Sequence, residues 1–600
     1  MGKEAIKQRL QKLKVEMKQR DIAAYIIPMN DFHGSEYIGD YFKLIRYFSG
    51  FTGSAGTLVV TEEETCLWTD GRYFVQAGVQ LEGTGIVLQK MGEKNVPTIA
   101  EYVNSYLAKR SAEESKTIGF DGRLVSGSFV KKLGDHTFFC EEDPAGKIWE
   151  EDEEDKRPDF PNKPVWILKE EYAGQSAKSK LSLIRDDMKA KDADCLVLST
   201  LDDIAWLTNL RGNDIDYNPV FLSYMIITAA DAFLYCKSED PAIRDYLESC
   251  GIDRKPYNNF YKDLSHMEAG RTVWVDDESA AYRMMRCIPA QCEKIIGKNP
   301  VLLRKAVKNE TETEHMRNAH QKDAVAVTKF LYWIKEKICT GEETATELSA
   351  ADKLEELRQK QEGYLGPSFS PIAAYGPHGA IVHYSADEDS DVKLENSSFL
   401  LLDTGGHYLE GTTDITRTIA MGALTPEQKK HYTAVLQGNL RLMDARFKKG
   451  LMGANLDYLA REPLYRMGLD YNHGTGHGVG YLLNVHEGPN GFRMRQEKEG
   501  VFEEGMITSD EPGVYLEGQY GIRLENLILC VKDGETQYGQ FLKFEPLTLV
   551  PFDADAIDET MLTENDKKLL AAYHQRVYEA LADKLDEEER RWLKTTTGVK

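Results

Sequence analysis

The sequence predicts a multidomain protein of mixed α/β and α+β class, in which two copies of one α/β domain precede a third domain of different composition. Three observations predict this. The 600 residues exceed what one hydrophobic core supports. The first half contains an internal repeat. Seven of the 13 histidines lie between His378 and His486, in the second half. The predicted domains are residues 1–158, 159–305 and 306–600.

The repeat consists of two segments with one pattern, KVEMKQRDIAAYIIP at residues 14–28 and RDDMKAKDADCLVLS at residues 185–199. Each predicts a charged helix that runs into an apolar strand. Downstream, GTLVVTEEETCLW and FLSYMIITAADAFLYC each predict a strand, a turn and a second strand. Unrelated α/β domains share such patterns too, but the matching Met-Lys and Gly placements favour duplication. The acidic, proline-containing segment 141–164 predicts a solvated linker between the copies.

The third domain opens with a long helical pattern. Thr311 and Glu314 have the spacing of a capping box, and we expect His315 and His320 on that helix to be surface or packing residues. Residues 398–530 predict strands and glycine loops. The end of the chain predicts a docked amphipathic helix, with apolar residues at helical spacing: Leu569, Leu570, Tyr573, Val577 and Leu581.

Composition excludes several classes of protein. The 74 basic and 98 acidic residues leave a net charge of −24, which argues against binding to nucleic acid or to an anionic membrane. No apolar run approaches the length of a membrane span, and the first residues contain no apolar signal sequence. The nine cysteines are scattered, so we expect reduced thiols and a cytoplasmic protein.

Carboxylates cluster at predicted strand ends in the third domain. Asp403 ends the apolar strand SFLLLD, and Asp414 lies on a following strand 11 residues later, so a hairpin would bring the two together. Glu511 precedes a Pro-Gly turn. Glu525 is expected in the middle of the apolar strand YGIRLENLILC, with Arg523 on its other face.

A buried carboxylate such as Glu525 needs a partner, because an isolated buried charge is very costly. Taken alone, Glu525 fits a buried ion pair and a metal ligand equally well. Considered with Asp403, Asp414, Glu511 and a histidine from a glycine loop, it favours metal. Four carboxylates around one centre repel one another unless cations neutralise them, so we expect two divalent ions. Oxygen-rich ligands with one imidazole suit Mn²⁺, with Zn²⁺ or Co²⁺ as alternatives.

The histidines and glycines of HGTGHGVGYLLNVHEGP, residues 473–489, form the most unusual stretch of the chain. Glycine lets the backbone approach a ligand closely, and histidine binds metals and transfers protons. Other motifs do not match. HEGPN lacks the second histidine of H-E-x-x-H, and the alternating glycines do not fit G-x-G-x-x-G.

Many short motifs together resemble the three-domain aminopeptidase P group of peptidase family M24. They cover essentially the whole chain: SEYIGDY, SGFTGSAGT, WTDGRY, DDIAWLTNLRG, NPVFLSY, HGAIVHY, TTDITRT, HGTGHGVG, NVHEGP, DEPGVY, GIRLEN and FEPLTLVP. The resemblance implies two creatinase-like N-terminal domains followed by a catalytic domain of the pita-bread fold. Many relatives carry Thr where this chain has Ser509 in SDEPGVY, a difference that affects no implied ligand.

The resemblance also implies roles for individual residues. The five metal ligands correspond to Asp403, Asp414, His477, Glu511 and Glu525. The histidines near the substrate correspond to His383, His473 and His486, and Arg523 resembles an arginine that supports a ligand. His378 and His407 match no such role, and we expect them to be structural.

The implied activity is metal-assisted release of the N-terminal residue from peptides with proline in the second position. Glu511 would accept the proton of the attacking water, and the histidines would stabilise the intermediate or transfer protons. The resemblance further implies a homodimer. The alternatives are a metal-free peptide-binding module, a metal-free amidinohydrolase-like relative and a prolidase restricted to dipeptides. The intact ligand set argues against the first two, and the duplicated N-terminal domains argue against the third.

Overall fold

A computed structural model describes residues 2–494 and 500–599 of the chain. The chain forms two compact units, which we call the N-terminal unit (Met1–Leu168 and Gln175–Val301) and the C-terminal unit (Lys169–Gly174 and Leu302–Lys600). Both predicted N-terminal domains lie in the first unit, apart from residues 169–174 and 302–305. The boundaries at 158 and 305 remain predictions.

The first half of the N-terminal unit is one α/β layer structure. Its helices are α1 (Lys3–Gln19), α2 (Leu44–Ser49), α3 (Phe74–Gln80), α4 (Ile99–Lys109), α5 (Gly127–Leu133) and α6 (Pro144–Glu150). Its strands are β1 (Ile22–Pro28), β2 (Thr57–Thr61), β3 (Thr65–Thr69), β4 (Val87–Lys90), β5 (Thr117–Gly119) and β6 (Phe138–Phe139). They form a six-stranded sheet in the order β4-β3-β2-β1-β5-β6.

The second half repeats this arrangement. Its strands are β7 (Trp166–Ile167), β8 (Cys195–Leu198), β9 (Leu210–Arg211), β10 (Ser223–Thr228), β11 (Ala232–Cys236), β12 (Asp253–Pro256), β13 (Thr272–Val275) and β14 (Glu293–Ile296). The helices of this stretch are α7 (Glu170–Ala173, in the C-terminal unit), α8 (Ala177–Ala190), α9 (Leu201–Thr208), α10 (Pro241–Ser249), α11 (Phe260–Ser265), α12 (Tyr282–Cys287) and α13 (Pro300–Ala306). The sheet order β12-β11-β10-β8-β13-β14 reproduces that of the first half, which confirms the predicted duplication.

The predicted solvated linker at 141–164 is instead a packed segment. It contains α6, and Trp149 of that helix stacks on Tyr47 with ring centroids 4.9 Å apart. Asp152 accepts a hydrogen bond from the Tyr47 hydroxyl at 2.7 Å, and Asp155 pairs with Arg9 at 2.8 Å. The prediction was wrong for residues 144–155, because Asp152 and Asp155 are paired and the apolar residues of α6 pack against α1 and α2.

The C-terminal unit combines long helices with short sheets. Its helices are α14 (Glu310–Trp333), α15 (Glu347–Arg358), α16 (Pro426–Met443), α17 (Asp457–Tyr465), α18 (Glu564–Leu581) and α19 (Glu587–Thr597). Helix α14 starts two residues earlier than the Thr311 cap predicted, because Asn309 and Glu312 form the capping box. Helix α18 is the predicted amphipathic helix, and it buries Tyr573, Val577 and Leu581.

The strands of this unit form three sheets that meet around the candidate site, and a further pair. They are β15 (Tyr364–Pro367), β16 (Ile372–Tyr375), β17 (Phe399–Thr404), β18 (Gly406–Tyr408), β19 (Gly411–Thr412), β20 (Ile415–Ala420), β21 (Arg446–Lys448), β22 (Gly476–Gly478), β23 (Glu487–Phe492), β24 (Ile507–Asp510), β25 (Gly513–Leu516), β26 (Tyr520–Arg523), β27 (Asn526–Thr536) and β28 (Gly539–Pro546). The sheet orders are β15-β18-β19, β16-β17-β20 and β21-β28-β27-β24-β22-β23, and β25 pairs with β26.

The core of the C-terminal unit lies between the helices and these sheets. It joins Phe330 of α14, Leu400 of β17, Leu436 of α16 and Val577 of α18, all with no exposed surface. Helices α16 and α17 interrupt the region 398–530, for which the sequence predicts strands and loops only. In the described part of the chain, no helix has both the length and the apolarity that a bilayer crossing requires. All nine cysteines are free thiols, as predicted.

Candidate metal centre

Asp403 and Asp414 are brought together by paired strands. Asp403 lies on β17 opposite Thr416 of β20, and the intervening chain turns back through β18 and β19. The predicted hairpin is therefore present. Asp414 itself lies in the short link between β19 and β20 instead of on a strand. From this link its carboxylate is 4% exposed and faces the carboxylates described next.

Glu525 lies in a two-residue break between β26 and β27, so its predicted position in the middle of one continuous strand was wrong. The strand breaks because its backbone changes partners: the amide of Leu524 donates to Pro512 at 3.3 Å and that of Glu525 to Thr416 at 3.1 Å. Arg523 was expected on the opposite face from Glu525, which was wrong, because residues two apart on a regular strand share a face. Instead both side chains reach the Thr416 hydroxyl, which receives a bond from Arg523 Nε at 3.2 Å and donates to Glu525 Oε2 at 2.7 Å.

His477 projects from β22 into the carboxylates. Its Nε2 lies 3.4 Å from Asp414 Oδ2 and 3.5 Å from Glu511 Oε1. The other ring nitrogen, Nδ1, lies 2.9 Å from the carbonyl of Gly478, and a proton on Nδ1 leaves Nε2 as the ligand atom. Ser509 supports both neighbours, because its hydroxyl accepts from the His477 amide and donates to Glu511 Oε1, each at 2.9 Å.

The donor atoms fit a cation site. One ligand atom each from Asp414, His477 and Glu525 lie within 4.8 Å of one another. Among the described residues, Asp403 Oδ1 and Glu525 Oε1 are buried with no hydrogen-bond partner. Unpaired buried carboxylate oxygens beside an imidazole nitrogen are the donor set that a hard or borderline divalent cation takes.

Burial makes the charge of this cluster costly. It raises the pKa of Asp414 to about 8, with the charge of Asp403 as the next cause. Burial also raises the pKa of Glu511, which His477 partly offsets. The pKa of Glu525 lies well above its ordinary range, because of burial first and then the charges of Asp414 and Glu511. Without added positive charge, these carboxylates cannot all be ionised near neutral pH.

Arg523 supplies one fixed positive charge at the edge of the cluster. Its guanidinium donates to Asp403 Oδ2 at 2.5 Å and to the Tyr515 hydroxyl at 2.8 Å. The same hydroxyl lies 2.8 Å from His473 Nε2. A continuous chain of hydrogen bonds therefore runs from Asp403 through Arg523 and Tyr515 to His473.

The other two predicted substrate histidines belong to separate chain segments near the cluster. His486 packs edge to face against His477, with ring centroids 4.2 Å apart. Residues 481–485, directly before it, form bends and no helix or strand, and strand β23 begins directly after it at Glu487. His383 follows Val382, whose carbonyl accepts a bond from Arg523 Nη2 at 3.5 Å.

The histidines expected to be structural have protein partners. His378 Nδ1 lies 2.9 Å from Glu347 Oε1, and its ring stacks on Tyr384. His407 Nδ1 lies 3.0 Å from the Thr412 hydroxyl. On α14, His320 Nδ1 contacts the carbonyl of Met316 at 2.7 Å.

Sequence reasoning missed three residues of the site: Thr416, Ser509 and Tyr515. Two of them carried a usable signal, since Thr416 follows Asp414 by two positions and Ser509 precedes Glu511 by two. Residues two apart on a strand share a face. Tyr515 carried none, because its role depends on the pairing of β25 with β26, where Gly513 lies opposite Arg523.

Comparison with known proteins assigns parts of the chain to known domain families. Residues 314–532 match metallopeptidase family M24, and residues 540–599 match the C-terminal region of that peptidase family. Residues 9–148 and 156–312 each match the creatinase/prolidase N-terminal domain. The predicted fold class, two creatinase-type domains followed by an M24 catalytic domain, is thus confirmed.

Similar proteins extend over the full length. A probable Xaa-Pro aminopeptidase P of Botryotinia fuckeliana is 39% identical over 610 residues, which cover 98% of this chain and 92% of the relative. Xaa-Pro aminopeptidase 1 of Dictyostelium discoideum is 38% identical and covers 99% of this chain and 96% of its own. The crystal structure of X-prolyl aminopeptidase from Caenorhabditis elegans, described as a cytosolic enzyme with a di-nuclear active site, superimposes with a TM-score of 0.92 at 32% identity, covering 98% of this chain and 99% of that one.

An Xaa-Pro dipeptidase from Bacillus anthracis is a more distant match. It is 25% identical, with a TM-score of 0.50, and covers 63% of this chain. The shorter dipeptidase therefore matches only part of the architecture, whereas the three proteins described above match nearly all of it. On this evidence the chain belongs to the Xaa-Pro aminopeptidases of metallopeptidase family M24.

Proposed function

We propose that this protein is a metalloaminopeptidase that releases the N-terminal residue from peptides with proline in the second position. The observation that carries the proposal is that His477 lies close to the carboxylates of Asp414, Glu511 and Glu525. Resemblance over the full chain to enzymes named Xaa-Pro aminopeptidase supports the substrate class.

The residues that would hold two divalent cations are Asp403, Asp414, His477, Glu511 and Glu525. When bound, the cations supply positive charge that offsets carboxylate repulsion, polarises a carbonyl and lowers the pKa of water. We propose Mn²⁺ as the native ion because four of the five ligands are oxygen donors, with Zn²⁺ and Co²⁺ as alternatives.

The protein's own residues transfer protons, bind the substrate and orient the ligands. Glu511, oriented by Ser509, accepts the proton of the attacking water. His486 and His383 hydrogen bond to the substrate carbonyl or transfer a proton to the leaving nitrogen. His473 is held by Tyr515 and binds substrate. Arg523 keeps Asp403 oriented, a supporting role that typically changes activity or metal affinity 10- to 100-fold when removed.

A matched peptide pair tests the proposal. Purified protein is stripped with chelator, reloaded with Mn²⁺, Zn²⁺ or Co²⁺, and assayed on Arg-Pro-Pro and Arg-Ala-Pro. We expect cleavage of Arg-Pro-Pro only, with activity restored by metal and highest with Mn²⁺. Cleavage of both peptides contradicts the substrate class, and full activity in the stripped protein contradicts the metal mechanism.

The dipeptide Arg-Pro separates the aminopeptidase from the prolidase alternative. We expect the tripeptide to be cleaved with the higher kcat/KM. A strict preference for the dipeptide would favour a prolidase, and specific binding without turnover of either would favour a binding module.

Assembly and location are also part of the proposal. We propose a cytoplasmic homodimer with peptides as its partners, without nucleic acid or membrane. The similar enzyme from Caenorhabditis elegans is described as cytosolic, and the net charge of −24 disfavours anionic partners. Sedimentation at micromolar concentration should give twice the 67.9 kDa of one chain, whereas a 67.9 kDa species contradicts the dimer.

A further inference from the structure

The segment that carries His486 contains a strained turn. Leu482 has a φ of +46°, in the left-handed region that branched side chains avoid, and its side chain is fully buried. Nearby, the amide of Gly480 donates to the carbonyl of Asn484 at 3.0 Å. A strained backbone of this kind persists only where surrounding contacts hold it, and it occurs often beside functional residues.

Tyr481, next to the strained residue, anchors the turn on its N-terminal side. Its side chain is 1% exposed, and its hydroxyl donates to the carbonyl of Tyr172 at 2.8 Å. His315 Nδ1 lies 3.0 Å from the same hydroxyl, and the rings of His315 and Tyr172 are 5.6 Å apart. A buried tyrosine hydroxyl with two partners fixes both the direction and the depth of its backbone.

Glu487 anchors the segment on the other side of His486. Its carboxylate pairs with Lys308, and Lys305 Nζ lies 3.6 Å from Oε2. All three side chains are 1% exposed. One carboxylate between two buried ammonium groups is a costly arrangement that tolerates little displacement, because each charge depends on the other for compensation.

The partners of both anchors lie in short segments next to the points where the chain leaves one unit and enters the other. Tyr172 lies in Lys169–Gly174, which belongs to the C-terminal unit although its neighbours on both sides belong to the N-terminal unit. Lys305 and Lys308 lie within the first residues after the later crossing, at Leu302. Asn309 joins the two stretches, since its Nδ2 donates to the carbonyl of Ala173 at 2.9 Å.

We propose that Tyr481 and Glu487 are positioning residues for His486, each anchored to one of the two chain segments that connect the units. The inference rests on the proposed function, because it takes His486 to act on the substrate. The placement of His486 then depends on contacts made by residues 169–174 and 305–308, which lie outside the loops that carry the metal ligands.

A double-mutant cycle tests this coupling. Tyr481→Phe keeps the ring and removes the hydroxyl, and Glu487→Gln keeps the shape and removes the charge. Each is made in the wild-type and the His486→Ala background, loaded with Mn²⁺, and assayed on Arg-Pro-Pro together with bound metal. In the wild-type background we expect kcat to fall about 10- to 100-fold with metal content unchanged and KM within a few-fold, since small misplacement of a reacting group has this effect.

The His486→Ala background gives the decisive result. A residue that acts through His486 causes no further loss once that ring is gone, so the two effects should be strongly non-additive. Equal fold losses in both backgrounds, or loss of bound metal, overturn the inference. If Glu487→Gln does not fold, Lys308→Arg keeps the charge and tests the same ion pair by a smaller change.

The controls separate this inference from the proposed function. Tyr432→Phe removes another buried hydroxyl, which accepts from the amide of Asp553 at 3.0 Å in a different part of the unit, and turnover should stay within about two-fold of wild type. Wild-type turnover in His486→Ala alone contradicts the proposed function. A loss in His486→Ala that neither Tyr481→Phe nor Glu487→Gln shares contradicts only the inference.

Discussion

Arg523 donates a 2.5 Å hydrogen bond to Oδ2 of Asp403 and leaves Oδ1 of that carboxylate buried without a hydrogen-bond partner among the described residues. The guanidinium thereby orients the carboxylate and compensates part of its charge, while one oxygen stays available to a cation. The bond joins residues 120 positions apart, and it connects the sheet that carries Asp403 and Asp414 to the chain that carries Glu525.

The first prediction concerns Glu525. Glu525→Gln should abolish turnover and weaken metal binding, because a neutral amide cannot supply the charge that two cations need. The metal-free variant should unfold at a higher temperature than the metal-free wild type, because near neutral pH the folded wild type must either bind a proton at Glu525 or bury its charge, and the amide has neither cost. Metal analysis, kinetics and thermal unfolding of both forms provide the measurement.

Glu535→Gln, exposed on the neighbouring strand β27, is the matched control. Two bound ions with normal turnover in Glu525→Gln would show that Glu525 is not a ligand.

The second prediction separates two adjacent histidines. His477→Ala should lower metal occupancy, because its Nε2 lies 3.4 Å from Asp414 Oδ2 and 3.5 Å from Glu511 Oε1. His486→Ala should keep both metals and lose about 10²- to 10⁴-fold in kcat, the usual size of an acid–base contribution. Bound metal and kinetics on an Xaa-Pro peptide are measured for both variants. The reverse pattern, with metal lost only from His486→Ala, would exchange the two roles.

The third prediction concerns Tyr515, whose hydroxyl joins His473 to Arg523. Tyr515→Phe should retain both metals but lower kcat/KM about 10- to 100-fold, since the hydrogen bonds that orient His473 and Arg523 are lost together. Tyr520→Phe, on the paired strand β26 with its hydroxyl on His431 at 2.9 Å, is the control and should behave as wild type. Unchanged kinetics in Tyr515→Phe would show that the hydrogen-bond chain has no part in turnover.

The fourth prediction concerns acid stability of the N-terminal unit. Burial lowers the pKa of His33 to about 4, from an ordinary value near 6.5, and its ring contacts the carbonyl of Ser199 and the hydroxyl of Tyr257. Between these two values the unfolded chain binds a proton that the folded chain does not, so stability falls as pH drops from about 6.5 to about 4. The loss should approach roughly 3 kcal/mol.

Denaturant unfolding followed by tryptophan fluorescence measures this effect, because five of the seven tryptophans belong to the N-terminal unit: Trp68, Trp149, Trp166, Trp206 and Trp274. His33→Gln should flatten the pH dependence in this window, whereas substitution of the exposed His266 by Gln should leave it unchanged. An equally steep fall in His33→Gln would assign the acid sensitivity to other groups.

The duplicated α/β architecture and the residue types of the candidate site could be predicted from the sequence. Strand periodicity and strand ends are local patterns, so they placed Asp403 and Glu511 correctly at the ends of strands. The glycine run around His477 was equally visible, because close backbone approach requires glycine wherever it occurs. The family resemblance then singled out His477 among the histidines of that run.

The contacts by which these groups support one another could not be predicted from the sequence, because they join distant parts of the chain. Thr416 reaches both Arg523 and Glu525 because the amide of Glu525 bonds to the carbonyl of Thr416, a pairing between distant parts of the chain that no local pattern encodes. Segment 141–164 is acidic like a linker, yet it packs because distant residues such as Arg9 and Tyr47 neutralise and cover it. Likewise Tyr481 meets Tyr172 across 309 positions. Local propensity acts over a few residues, whereas these contacts form only when long loops close and burial makes an unpaired polar group costly.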